Sequence, residues 1–284
     1  MTLGCCLPGA AVLAAGDGEQ DTSPAALLRR GHAALTKAVG FEFAEAPVPW
    51  LMSLSEESLA AAKAAGITFR AANLFIPSTL PIYKGGEALA QYAAEALRRL
   101  AFLGGRVMVF GSGGARQTPP HLSPEENMAA IEAFLATCDG PARTCGVTVA
   151  VEPLNAGDCN IITSLKEGEL LVRRMQAAGC TQIRLLADAY HLYLQCNDPA
   201  AETDRPNTDC LAEIREAADL LVHTHIAEPR GRKCPGPESG LFLKAFADML
   251  HAVGYRGTVS IEARFGDFWS ESRAGLAWMR QALA

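Results

Sequence analysis

Four apolar runs in this 284-residue chain end in residues that can bind a cation or move a proton. Glu152 closes "GVTVAVE", Asp188 closes "IRLLAD", His225 lies in "LLVHTHIAE" and Glu262 closes "GTVSIE". A carboxylate or imidazole at the end of a buried apolar run is costly unless something pairs with it. Taken singly, each has a plainer reading as a surface carboxylate, a helix cap or a hydrogen-bonded core histidine. Together, without a shared cation, they would be four separate burial penalties. Oxygen and imidazole donors without thiolate suit a hard or borderline divalent ion such as Mn²⁺, Mg²⁺ or Co²⁺, and admit Zn²⁺. His223 and His225 are two apart and share one strand face. One of them suffices as a ligand, and the other can support it from outside.

The elements that must position these residues alternate between short apolar strands and longer helical patterns. Candidate strands are "TLGCCL", "GFEFAEA", "ITFRAANLF", "GRVMVFGS", "GVTVAVEPL", "IRLLADAYH", "LLVHTHIAE" and "GTVSIEARF". The helices between them have legible ends. "TSPAALLRRGHAALTKAVG" offers Ser23 as N-cap, Pro24 at the first position and Gly40 as a stop. "SPEENMAAIEAFLATC" opens on the capping box Ser123–Glu126, and "SLKEGELLVRRMQAAG" stops at Gly179. "SEESLAAAKAAG", "DCLAEIREAADLL", "LFLKAFADMLHAVG" and "ESRAGLAWMRQALA" read as further helices, and "EALAQYAAEALRRLAFLGG" as the longest. Eight strand–helix units over residues 1–284 predict one α/β domain, a (β/α)8 TIM barrel. The competitor, a doubly wound open sheet, calls for a Gly-rich phosphate turn. "FGSGGAR" is the one candidate, and it reads instead as a tight turn beside the site with Arg116 at its edge.

Bulk properties narrow the function classes. The net charge of −6 argues against non-specific binding to nucleic acid or an anionic membrane. Nine cysteines without any Cys-x-x-Cys read as free thiols of a reducing compartment. The apolar N-terminus lacks a preceding Lys or Arg and is broken by Pro8 and Gly9, so it does not read as a secretion signal. No segment approaches the ~18 apolar residues of a membrane span. The expected setting is cytoplasmic.

At these residues the chain resembles the sugar isomerase/epimerase superfamily, the xylose-isomerase-like barrels that include D-tagatose 3-epimerase-like and hydroxypyruvate isomerase-like enzymes. The segments that carry the resemblance are "VFGSGGAR", "VEPLNAGDCN", "LADAYH", "HTHIAEPRGRKCPG" and "VSIEARF". The resemblance implies a metal held by Glu152, Asp188, His225 and Glu262, with Glu152 and Glu262 also serving as the acid/base pair. It implies substrate contacts from His191, from an arginine of "EPRGR" (Arg232 rather than Arg230) and from Asp158. Homo-oligomers are common among such barrels. The family's E-P-L-N-R is here followed from Asn155 by Ala156 and Gly157, so one arginine is missing, and Asp158 stands where a longer Glu is usual. The extra metal-site histidines of the endonuclease branch are not evident.

The implied reaction is divalent-metal-dependent isomerisation or epimerisation of a small ketose or hydroxy-keto carbohydrate, by Glu-mediated proton transfer through a metal-bound enediolate. Two other readings use the same residues. One is metal-dependent hydrolysis or lyase chemistry, and the other is a sugar-binding barrel without turnover. A retained pair of carboxylate bases counts against the last.

Overall fold

The computed structural model describes residues 1–9, 21–198 and 205–284. Eight strands lie parallel and close on themselves in sequence order: β1 (Thr2–Cys6), β2 (Phe43–Pro47), β3 (Ala71–Asn73), β4 (Val107–Phe110), β5 (Thr148–Val151), β6 (Ile183–Asp188), β7 (Leu221–Ile226) and β8 (Thr258–Ile261). Because β1 pairs with β8 as well as with β2, the sheet has no free edge. Parallel neighbours need a crossover, and helices supply it. They are α1 (Pro24–Ala33), α2 (Val48–Met52), α3 (Glu56–Ala64), α4 (Glu87–Phe102), α5 (Gly113–Arg116), α6 (Pro124–Cys145), α7 (Leu165–Ala177), α8 (Ala189–Cys196), α9 (Ala212–Glu216), α10 (Leu241–Ala252) and α11 (Phe268–Ala282). All eight strands and the caps at Ser23 and Ser123 fall where the sequence places them.

The helices α2, α5 and α8 are additions to the sequence reading, and two of the helices it places differ in length. α6 is the longest, at 22 residues, against 16 for α4. It runs through Gly140 and Pro141 to a left-handed stop at Gly146. An interior proline removes a backbone bond, but the far end of α6 is anchored. Cys138 and Ala142 are buried, and the buried Asp139 carboxylate accepts the Gln182 N–H at 2.8 Å. "DCLAEIREAADLL" yields only the short α9, preceded by a 3₁₀ turn over Asp209–Leu211.

Alternation along the strands separates two apolar cores. Phe43, Ala71, Val107, Val109, Ala150 and Leu186 form a small cluster inside the barrel. Ala44, Ala46, Val149, Val151, Leu185 and Ala187 belong to the larger outer core beneath the helices. The interior is tight. A methyl group on Gly4 of β1 would overlap the Phe43 ring. The strand registers then fix heights at the C-terminal rim. Asp188 pairs with His225, Phe110 with Val151 just before Glu152, and Ile226 with Ile261 just before Glu262.

Seven cysteines carry free thiols, whereas Cys196, at the end of α8, is paired as a disulfide with Cys210, in the turn before α9. The expectation of nine free thiols is corrected at this point. The two residues are 14 apart in sequence, and the β6–β7 connection brings their Cα atoms to 6.1 Å, a usual disulfide spacing. Thr2–Cys6 of the apolar N-terminus form β1, while residues 10–16 of that stretch lie outside the described residues. Among the described residues no helix is long and apolar enough to cross a membrane.

The Gly4–Phe43 contact makes a prediction about the interior. Gly4→Ala should destabilise the barrel by about 1–3 kcal/mol through overpacking, read from the urea midpoint. An unchanged midpoint would mean that the Phe43 ring has room to move.

Candidate metal centre

Glu152, Asp188, His225 and Glu262 converge at the C-terminal rim, where their donor atoms all lie within 4.8 Å of one another. The meeting point is His225 Nδ1. It is 3.2 Å from Glu152 Oε1, 3.3 Å from Glu262 Oε2 and 3.9 Å from Asp188 Oδ2. The other ring nitrogen, Nε2, faces Glu45 Oε1 at 3.1 Å. Glu45 also holds His223, whose Nε2 is 2.9 Å from Oε2. Both histidines and Glu45 are completely buried. An ionised carboxylate only accepts, so Glu45 takes an N–H from each imidazole. His223 Nδ1 is then free to accept the Thr258 hydroxyl at 2.6 Å. His225 is left with Nδ1 as its lone-pair nitrogen, aimed at three carboxylates.

A lone pair facing three carboxylates is repulsive unless positive charge stands among them. The side chains by themselves supply it as a proton. Burial would lower the His225 pKa, but Glu45 and Glu262 outweigh it and hold the imidazole well above its ordinary range. Burial would likewise raise Glu45, yet His225 and His223 keep it well below the usual carboxylate range. For Glu262, burial is outweighed by His225 and Arg232, which bring it down to about 2. A divalent ion can take the proton's place. Three carboxylates and one neutral imidazole are the donor set that a hard or borderline ion prefers, so the residues fit such an ion. Glu45 would be the outer carboxylate that fixes the ligand's tautomer.

The remaining predicted residues surround this centre. Asp188 is divided in its use. Oδ1 caps α8 by accepting the Tyr190 and His191 N–H groups at 2.6 and 3.2 Å, and Oδ2 faces the centre. His191 Nδ1 accepts from the Asn155 backbone at 3.2 Å, so the ring turns an Nε2–H toward Asp188 Oδ2, 3.9 Å away. Asn155 also donates to Asp158 Oδ2 at 2.6 Å and leaves that half-exposed carboxylate at the rim. Arg232 enters the cluster and bonds to Glu262 Oε2 and, at 3.3 Å, to Asp188 Oδ2. Arg230 is exposed and borders a separate hollow of about 630 Å³ beneath the 228–242 segment. A cleft of about 480 Å³ at the rim is lined by Glu152 and Glu262, with Asp158, His191 and Arg232. Pro49, Leu74, Ile76 and Leu154 give it an apolar wall opposite the charged floor.

Several supporting residues are invisible to a search of strand ends in the second half of the chain. Glu45 is one; its only signal is being the second of two glutamates in the otherwise apolar run "FEFAEA". Asn73, at the end of β3, donates to Glu262 Oε1 at 3.2 Å. Cys6 belongs to a second group of close potential ligands with Glu45 and His225. Arg116 is fully buried rather than at the edge of its turn. Its guanidinium donates to the carbonyls of Phe110, Glu152 and Ile162 at 3.1, 2.9 and 3.3 Å, which clamps the backbone beneath Glu152. "FGSGGAR" is thus a packing device, built as the single turn α5. A methyl group on Gly111 would overlap Glu152 Oε2, so the glycine makes room for that carboxylate.

A family model for xylose isomerase-like TIM barrels matches residues 33–282. The chain belongs to this family. Within this xylose isomerase-like group, the 3-keto-D-glucoside 4-epimerase YcjR from E. coli superposes with a TM-score of 0.73 at 22% identity, covering 99% of each chain. The D-psicose 3-epimerase from Clostridium cellulolyticum H10 gives 0.74 at 19% identity, covering 100% of this chain and 99% of that one. An AP endonuclease of family 2 from Brucella melitensis gives 0.72 at 20% identity, covering 99% and 98%. At such identities the likeness is one of fold. No curated protein matches the sequence.

The buried charges of this xylose isomerase-like barrel predict an acid limb in its stability. Glu45 and Glu262 have depressed pKa values, so their contribution is present above about 4.5 and is lost as pH falls through the depressed values, about 2 for Glu262. His225, with a raised value, contributes below about 6.5 and loses that contribution as pH rises through the raised value. Urea midpoints of the chelator-treated protein should therefore fall on acidification below about pH 4.5. Glu45→Gln should flatten that limb, and an equally steep limb in the variant would remove Glu45 from the account.

Proposed function

We propose that this barrel is a divalent-metal-dependent isomerase or epimerase of a small ketose or hydroxy-keto carbohydrate. The observation that carries the reading is the placement of Glu152 and Glu262. They come from strands separated by β6 and β7, yet both reach within 3.3 Å of the same imidazole nitrogen. A molecule seated above that nitrogen meets a carboxylate on each of two sides. The sugar-epimerase fold neighbours are consistent with this reading.

Glu152, Asp188, His225 and Glu262 would hold the ion, which when bound supplies Lewis-acid stabilisation of negative charge on the substrate's oxygen. The chain's own groups do the rest. Without the ion, His225 and Arg232 keep Glu262 ionised against the effect of its burial, and a bound ion would keep it so in their place. Glu262 is thus competent to remove the proton from the carbon beside the carbonyl. The electron pair left on carbon delocalises onto the carbonyl oxygen. Glu152, once protonated from solvent, would deliver that proton to the opposite face and invert that carbon, while Glu262 releases its proton to solvent; the same pair can work in the reverse direction. Return to the neighbouring carbon instead gives aldose–ketose isomerisation. His191 presents an N–H to substrate oxygens, Asp158 accepts from hydroxyls at the rim, and the guanidinium of Arg232 offsets oxygen charge. Asn73 holds Glu262 Oε1, so that Oε2 is the working oxygen. The apolar wall packs against the carbon face of the sugar.

Proton abstraction has a direct assay. The wild-type protein loaded with Mn²⁺ should exchange solvent deuterium into the carbon beside the carbonyl of its ketose substrate. Glu152→Gln and Glu262→Gln should each lower kcat by at least about 10²–10⁴, the usual scale of a general acid–base group. Turnover without exchange would assign the site to hydrolytic or lyase chemistry. Ion and sugar binding with neither exchange nor turnover would make it a binding barrel. Wild-type activity in Glu262→Gln would refute the mechanism.

A further inference from the structure

Arg232 carries a fixed positive charge into the place where the cation's charge is needed. Its backbone is anchored. Arg264 N–H donates to the Arg232 carbonyl at 2.7 Å, and Glu228 N–H donates to the Lys233 carbonyl at 2.8 Å across the turn. Gly231 and Arg232 both adopt left-handed conformations, with φ of +77° and +52°. For a non-glycine residue this is an uncommon state, and here the flanking bridges hold it. The turn aims the side chain inward over Tyr190, with the guanidinium carbon 4.9 Å from the ring centroid.

The decisive detail is which oxygens the guanidinium touches. Nη2 bridges Glu262 Oε2 and Asp188 Oδ2. These are the oxygens that face His225 Nδ1. The other oxygen of each carboxylate is already committed, Glu262 Oε1 to Asn73 and Asp188 Oδ1 to two backbone N–H groups. That leaves Glu262 Oε2 and Asp188 Oδ2, the oxygens Arg232 uses, as the ones open to a divalent ion. An ion on both oxygens, at an ordinary coordination distance of about 2.0–2.6 Å, would share them with the like-charged Nη2 at close range. The guanidinium has somewhere to go. It is partly exposed and borders the 480 Å³ cleft, and its Nε is buried without a hydrogen-bond partner.

We propose that Arg232 is a tethered counter-cation that a divalent ion must displace from Asp188 Oδ2 and Glu262 Oε2. Ion binding moves the guanidinium off these oxygens and into the cleft, where it meets the substrate's oxygens. Loading the ion and arming the substrate-binding arginine thus become one event, and substrate binds after the ion. This inference rests on the metal-dependent reading above. It reverses the sign expected of a residue that simply steadies the ligands, because removing Arg232 should strengthen ion binding.

Two measurements test it. In the first, the chelator-stripped protein is titrated with Mn²⁺ by calorimetry. Arg232→Gln should bind Mn²⁺ about tenfold or more tightly than wild type, as expected on removing one like charge in contact. Arg232→Lys, which keeps the charge, should stay nearer wild type, and thermal melts establish that both variants fold. Equal or weaker binding by Arg232→Gln, beside a wild-type protein that does bind Mn²⁺, overturns the exclusion alone. A wild-type protein that binds no divalent ion overturns the metal-dependent reading, and the exclusion falls with it. The second measurement needs no variant. Modification of Arg232 by phenylglyoxal, followed by peptide mass mapping, should speed up several-fold when Mn²⁺ is added, because the guanidinium leaves its carboxylates. Unchanged or slower modification overturns the proposal.

Discussion

Three carboxylates aimed at one imidazole nitrogen are the constraint on which this site depends. Left to themselves, Glu152, Asp188 and Glu262 would repel one another and splay into solvent. The closed barrel prevents this. Each sits at or just past the end of a strand whose register is fixed by two neighbours, so the backbone brings all three to one place on the rim. The charge has to be balanced in place, by a proton on His225, by Arg232, or by an ion. These are three answers to one electrostatic demand, and they compete because they use the same atoms.

The supporting residues follow from that demand. Glu45 lies a layer below and makes the opposite commitment, holding two imidazoles with one carboxylate. It orients His225 so that its lone pair faces upward, and it ties β2 to β7 across the interior. Arg116 satisfies three carbonyls around the β4–β5 rim, where the strands end and the ladder can no longer do so. Gly111 yields the volume that the Glu152 carboxylate occupies. None of these groups needs to touch a substrate. All of them remove degrees of freedom from the groups that would.

The division of labour around the rim has a chemical logic. The second half of the barrel, β5 to β8, supplies the charged floor. The first half supplies Pro49, Leu74 and Ile76, an apolar wall that can exclude water from a developing carbanion without competing for the ion. Leu74 stands out there as a largely exposed, left-handed residue directly after β3.

The sequence by itself determined the barrel and the four convergent residues, for a definite reason. A parallel strand buried on both faces must be apolar, so a carboxylate or histidine at its end is conspicuous, and eight alternations of strand and helix have few ways to close. Helix starts were equally local, because a capping box at Ser123 is read from adjacent residues. What escaped the sequence were facts that depend on partners distant along the chain. Glu45 meets His225 across 180 residues, Asn73 meets Glu262 across 189, and Cys196 meets Cys210 only once the connection between them has folded. Arg116 looked peripheral because its three acceptors are backbone carbonyls, which have no sequence signature. Only the tertiary structure decided which oxygen of each carboxylate is committed and which is free, and so placed Arg232 on the two that a cation would use.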